Sequence, residues 1–225
     1  MSVCVFGDSV AKGVVYDEIK NKYVFLENSF ANLFAKHRNT QVKNLAKFGC
    51  TVRKGVELVY KYEDELKTFD QVALEFGGND CNFNWKEISE DPSAHHEPMV
   101  GRTEFVRDYE TIVRKVKAAG CMPVMLSMPP IDADLFFDWV SRGLSREKIL
   151  RFLREKEFIY RWHELYNISV FEIARKEHVP FIDIRKVFLQ ERKITDLLCI
   201  DGMHPNEKGH ALISRAILGG EPAYF

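Results

Sequence analysis

Five short apolar runs punctuate this chain, and stretches with helical spacing separate and follow them. That alternation limits the fold more than any other feature. Residues 2–6 (SVCVF), 41–46, 71–76 (QVALEF), 123–128 and 180–184 read as strands. Residues 28–37, 52–66, 104–119, 146–176 and 206–218 read as helices, with apolar side chains at the three-to-four spacing of one face. Phe105, Tyr109, Ile112, Val113 and Val116 form such a face, and Gly120 follows as a helix stop. The 146–176 region is long enough for two helices.

Strand and helix in alternation predict an α/β fold: a central parallel five-stranded sheet with helices on both faces. The 225 residues suit one domain over 1–225. A chain of that length buries about 70% of its unfolded surface and needs no disulfide or metal staple. Two segments break the rhythm. Residues 81–102 are polar with Trp and Pro, and 131–144 contain LFFDWV. Irregular stretches of this length are usually functional loops.

Ligands of open parallel sheets bind outside the carboxyl ends of the strands. The first strand ends in Phe6-Gly7-Asp8-Ser9-Val10, where a serine hydroxyl faces a cleft. Such a serine needs an adjacent base to act as a nucleophile. The third strand ends in Gly77-Gly78-Asn79-Asp80, where an asparagine amide is placed to donate to a developing oxyanion. Ahead of the last helix stands Asp201-Gly202-Met203-His204-Pro205. An aspartate three residues before a histidine can fix its tautomer and leave the other ring nitrogen free to take a proton. Each of these is an ordinary turn sequence when taken alone. Together they supply a nucleophile, an oxyanion donor, and a base with its orienting carboxylate.

At these residues the chain resembles the SGNH hydrolase family, the GDSL-type esterases and lipases. The resemblance runs from Val3 to Ile213. It rests on four ordered blocks: Gly7-Asp8-Ser9, the glycine of Asn44-Leu45-Ala46-Lys47-Phe48-Gly49, Gly77-Gly78-Asn79-Asp80, and Asp201-Gly202-Met203-His204 with Pro205 after it. The resemblance implies a flavodoxin-like three-layer sandwich and a serine esterase working through an acyl-enzyme on Ser9. His204 and Asp201 would complete its catalytic triad. It also implies an oxyanion hole from the Ser9 and Gly49 N–H groups and the Asn79 side chain. The implied substrates are small-molecule carboxylic esters: small acyl or acetyl esters, sugar acetates or lysophospholipids. No cofactor and no metal are expected. Cys50 and Cys81 depart from the family pattern beside two of the blocks.

An acyltransferase would use the same residues, and a non-catalytic binding module would keep the fold without needing them. A nucleotide-binding flavodoxin-like protein would need a Gly-rich phosphate loop, which is missing. The balance of 32 basic and 33 acidic residues predicts no nucleic-acid partner. No run approaches the 18 apolar residues of a membrane span. The N-terminus lacks a secretory pattern. Cys4, Cys50, Cys81, Cys121 and Cys199 are odd in number and form no CxxC pair. Reduced thiols in a cytoplasmic chain are the expectation. His95 and His96 beside Glu97 lack further metal ligands and read as solvated loop residues. Asp8 reads as a turn or helix-start acceptor. Phe136, Phe137 and Trp139 are weighed between core or interface packing and substrate contact, with packing favoured.

Overall fold

The computed structural model describes residues 2–219. In chain order the strands are β1 Ser2–Gly7, β2 Val14–Asp17, β3 Lys22–Phe25, β4 Gln41–Asn44, β5 Gln71–Glu75, β6 Met122–Leu126 and β7 Phe181–Ile182. The helices are α1 Ser9–Lys12, α2 Phe30–Arg38, α3 Val52–Lys61, α4 Glu63–Leu66, α5 Trp85–Glu90, α6 Arg102–Ala118, α7 Ala133–Val140, α8 Arg146–Leu153, α9 Glu157–Lys176, α10 Ile184–Leu189 and α11 Glu207–Gly219.

Five strands form one sheet in the order β4-β1-β5-β6-β7, and every pairing is parallel. Among these five strands the order is 2-1-3-4-5, the flavodoxin-like arrangement, whose switch point lies between its first and third strands. Those strands are β1 and β5. The site residues predicted after residue 6 and after residue 76 therefore emerge side by side.

Both faces of the inner strands are covered, which explains why β1, β5 and β6 are apolar runs, whereas the edge strand β4 (QVKN) is partly exposed. Successive side chains of β1 go to opposite cores. Cys4 and Phe6 join Val72, Leu74 and Met125 under α3, α6 and α9. Val3 and Val5 join Leu126 under α2, α10 and α11. Phe6 and Leu74 are fully buried. Each such side chain contributes about 1.5–3 kcal/mol of transfer free energy.

Caps set several helix starts. Ser29, Thr51 and Asp132 accept from the third N–H of α2, α3 and α7. The long 146–176 region is two helices, α8 and α9, with Arg154 in a positive-φ conformation (φ 68°) at the end of α8. The two irregular segments carry the short helices α5 and α7. Their apolar residues Phe83, Ile88, Ile131, Phe136 and Phe137 share a third core with Ile149 and Ile159. The antiparallel hairpin β2–β3 lies between the strand predicted over 2–6 and the helix predicted over 28–37, where the sequence predicts neither strand nor helix. No helix among the described residues is long and apolar enough to cross a membrane.

Candidate active site

The turn after β1 is set by hydrogen bonds that the sequence supplies locally. Asp8 Oδ1 accepts from Val10 N at 2.9 Å and caps the single turn of α1. Gly13 ends that turn in the left-handed region at φ 82°. Asn44 Nδ2 donates to Ala11 O at 2.8 Å and ties the turn to the end of β4. Gly7 is required here, because a Cβ would stand 2.5 Å from Glu75 O and 2.6 Å from Ala11 Cβ. Ser9 is thereby held at the start of α1, 5% exposed.

His204 arrives from 195 residues away. Its Nε2 lies 2.8 Å from Ser9 Oγ, and its Nδ1 lies 2.7 Å from Asp201 Oδ2. Asp201 is held by its own loop, since its Oδ1 accepts from the N–H groups of Met203 and His204, both at 3.0 Å. Gly202 allows that loop at φ 68°, and a Cβ there would collide with Leu135 and Phe136. The Tyr23 hydroxyl donates a further hydrogen bond to Asp201 Oδ2 at 3.1 Å. Burial resists ionisation of Asp201. The hydrogen bond and charge of His204 and the two backbone N–H groups more than offset it and hold the carboxyl below its ordinary value. In this geometry a proton can pass from Ser9 Oγ to Nε2 while the carboxylate faces the resulting imidazolium.

Ser9, Asp201 and His204 thus form one hydrogen-bonded line, and Gly49 and Asn79 lie beside it. Among the described residues no protein acceptor is paired with the Ser9 or Gly49 N–H. Gly49 adopts φ 67° with open space where a Cβ would stand. Backbone conformation, not crowding, therefore calls for glycine there. The Asn79 amide is engaged, donating to Asp8 Oδ2 at 3.2 Å and to Cys50 O at 3.4 Å.

Several residues around the site escaped the sequence reading. Tyr23 carries no motif, and the turn residue Asn21 between β2 and β3, at φ 50°, is the local hairpin signal. Its ring lies 5.1 Å from His204, and the exposed Phe48 ring stacks over His204 at 6.3 Å. Trp139 packs on Tyr16 at 4.7 Å and under Arg142. The aromatic cluster is therefore divided: Phe136 and Phe137 are core, and Trp139 stands at the rim of the site. Glu75 lies under Ser9, where its Oε2 accepts from Ala11 N at 3.2 Å. Asp80 caps the start of α3 through Val52 N at 2.8 Å, and burial pushes its carboxyl up to about 7. His210 is buried, and burial pushes it down to about 4. His95 is exposed beside Glu97, as expected for a loop residue. No metal-binding cluster of His, Cys, Asp or Glu occurs among the described residues. The five thiols are free and buried, and burial pushes those of Cys50 and Cys199 up to about 11.

The model of the GDSL-like Lipase/Acylhydrolase family matches residues 5–212. No curated protein sequence matches the chain. Among solved structures, the lipase/acylhydrolase from Enterococcus faecalis is similar at a TM-score of 0.68 and 17% identity, covering 100% of this chain and 98% of that one. An acetyl xylan esterase from Geobacillus stearothermophilus has a TM-score of 0.68 and 17% identity, covering 97% of this chain and 93% of that one. The psychrotrophic esterase EstA from Pseudoalteromonas sp. has a TM-score of 0.62 and 14% identity, covering 97% and 94%. At such identities these likenesses speak for the fold, whereas the family match spans all four sequence blocks. The chain belongs to the GDSL-like lipase/acylhydrolase family of ester-hydrolysing serine hydrolases.

Proposed function

We propose that the chain forms one hydrolase domain that cleaves short-chain carboxylic esters, acetyl esters of ring-shaped alcohols such as sugars above all, through an acyl-enzyme on Ser9. The observation that carries this reading is the line from Ser9 Oγ through His204 to Asp201, with both contacts under 3 Å and all three side chains buried. His204 takes the Ser9 proton as Oγ attacks the ester carbonyl, and Asp201 stabilises the imidazolium. The tetrahedral oxyanion is received by the N–H groups of Ser9 and Gly49. The Asn79 amide joins them by giving up its longer bond, the one to Cys50 O. Donors of this kind are worth about 3–4 kcal/mol each in comparable sites. His204 then returns its proton to the leaving alcohol, and a water activated by the same nitrogen hydrolyses the acyl-enzyme.

We assign the acyl group to the space beside Gly78 and Met203, the chain neighbours of Asn79 and His204, and that space is small. Beside Gly78 and Met203 lies an apolar cleft of about 20 Å³ walled by Phe83, Trp85, Phe136 and Trp162. That is room for about one water-sized group, and a methyl is of that size. The leaving oxygen must lie within reach of His204 Nε2. This puts the alcohol on the side of Phe48, Tyr23 and Trp139, whose flat faces suit a ring. An acetyl xylan esterase is among the similar folds.

The test is a panel of p-nitrophenyl esters of rising chain length followed by acetylated sugars, with Ser9→Ala as control. We expect turnover to be highest for acetyl, to fall with chain length, and to vanish in S9A with an unchanged circular dichroism spectrum. Wild-type turnover in S9A refutes the assignment of Ser9. A maximum at long chains refutes the substrate class.

A further inference from the structure

Two carboxyl groups meet beneath the nucleophile. Asp8 is 1% exposed and Glu75 2%, and the two carboxyl groups grip consecutive N–H groups of one turn, Asp8 at Val10 N and Glu75 at Ala11 N. The sheet register brings them together. Gly7 pairs with Glu75 across β1 and β5, and Asp8 N donates to Glu75 O at 3.2 Å. Two buried carboxyl groups on adjacent N–H groups, with no cation paired to either, cannot both be charged, so one of the pair carries a proton. Asp8 accepts from Val10 N and Asn79 Nδ2, whereas Glu75 accepts from Ala11 N. The additional N–H donor favours the charge on Asp8 and the proton on Glu75.

The groups facing the pair reinforce this. The titratable groups near enough to act on the pair by charge are Asp80, Tyr109 of α6, Cys50 and His204. None of these is a fixed cation that would neutralise a second negative charge. Burial, then the charge and hydrogen bond of Asp8, push the Glu75 carboxyl well above its ordinary value.

Asp8 is the joint between the two halves of the site. One oxygen holds the Ser9 turn and the other holds the Asn79 amide. Glu75 grips the same turn one residue further on, at Ala11 N. We propose that Glu75 is a positioning residue for ester hydrolysis, a neutral acid that donates to Asp8 and so fixes the Ser9 turn and the Asn79 amide relative to one another. The proposal rests on the roles of Ser9 and Asn79 given above.

The experiment compares wild type, Glu75→Gln and Glu75→Leu in the full chain. The glutamine amide can donate to Asp8 and accept from Ala11 N while keeping the single negative charge. E75Q is therefore expected to keep kcat within about 2–10-fold of wild type, the range of one altered hydrogen bond. E75L removes donor and acceptor together. Its kcat is expected to fall by about 10²-fold, as for a misplacement of about 1 Å, with KM little changed. The wild-type minus E75Q infrared difference spectrum at neutral pH should show the C=O stretch of a protonated carboxylic acid. Wild-type kcat in E75L, a loss in E75Q equal to that in E75L, or a difference spectrum without the acid band would each overturn the proposal. If E75L does not fold, E75Q and the infrared band still decide. Labelling of wild-type Ser9 by a fluorophosphonate separates the two levels. Without labelling the nucleophile assignment fails, whereas the acid band reads the Glu75 proton independently of turnover.

Discussion

Replacing Asp201 with Asn is the most discriminating change, because every lone pair of this buried carboxylate has an assigned use. Oδ1 accepts the N–H groups of Met203 and His204, and Oδ2 accepts His204 Nδ1–H and the Tyr23 hydroxyl. An amide has one oxygen for these two positions. If the oxygen stays with the two backbone donors, the NH₂ faces His204 Nδ1. The ring must then carry its proton on Nε2, where it cannot accept from Ser9. If the amide flips, the NH₂ opposes two buried backbone N–H groups and leaves both unsatisfied, at about 1–3 kcal/mol each. The structure therefore favours the wrong tautomer by about 2–6 kcal/mol. Comparable sites lose about 10⁴ in kcat on this change, or about 5.5 kcal/mol. We expect a loss of that order with KM nearly unchanged. The assay is kcat and KM on p-nitrophenyl acetate, with thermal melts to show an intact fold. A loss below about tenfold, or 1.4 kcal/mol, would refute the argument, because the wrong tautomer could not then be the populated one.

Asn79→Ala is expected to lower kcat by about 10²-fold with little change in KM. The low end of the usual range applies because the amide must first leave Cys50 O, and a pure KM effect would move Asn79 to substrate binding. The position of Cys50 and Cys81 beside the oxyanion residues suggests thiol-reagent inhibition from sequence alone, but both are buried, and burial keeps both thiols protonated. Native enzyme treated with maleimide should therefore stay active and unmodified at both positions, as read by mass spectrometry; rapid modification with inhibition would contradict the burial. Glu75 makes a prediction with a definite sign. Its folded value is raised above the ordinary 4.5, so its contribution to stability is full below that value and declines as pH rises towards the folded value. The slope is about 1.4 kcal/mol per pH unit. E75Q should remove that decline and gain on wild type in urea midpoint as pH rises above 4.5, whereas parallel curves for the two proteins would show that Glu75 is ionised in the folded state.

The sheet was legible because its inner strands are buried on both faces. A strand such as β1 must be apolar at Val3, Cys4, Val5 and Phe6 alike, and such runs stand out. The β2–β3 hairpin is different. Its residues are mostly half-exposed, so its faces are only weakly marked. Its turn holds Asn21 at φ 50°, and this is the local signal that could have revealed it. The break between α8 and α9 falls at Arg154, an arginine with positive φ, and residue type gives no warning of that. The helices α5 and α7 lie in the two irregular segments, and their order comes from packing on α8 and α9.

The same distinction governs the site. Ser9, Asn79, Asp201 and His204 were legible because each combines a reactive group with a turn that only certain neighbours permit, and Gly7 and Gly202 are the spaces those turns require. Glu75 and Tyr23 act on the site from within strands, where no turn chemistry marks them. A glutamate in the fifth position of QVALE reads as a strand end turning towards water. In the structure it turns inward, because Gly7 opposite has no side chain and Ala11 N offers a donor. A buried acid at the end of an apolar strand is a conflict between local sequence and burial, and such conflicts concentrate where function constrains the fold. Here the conflict lies one residue from the nucleophile, on the carboxylate that joins its turn to the oxyanion amide. That position, more than the depth of burial alone, marks Glu75 as part of the machinery and not of the core.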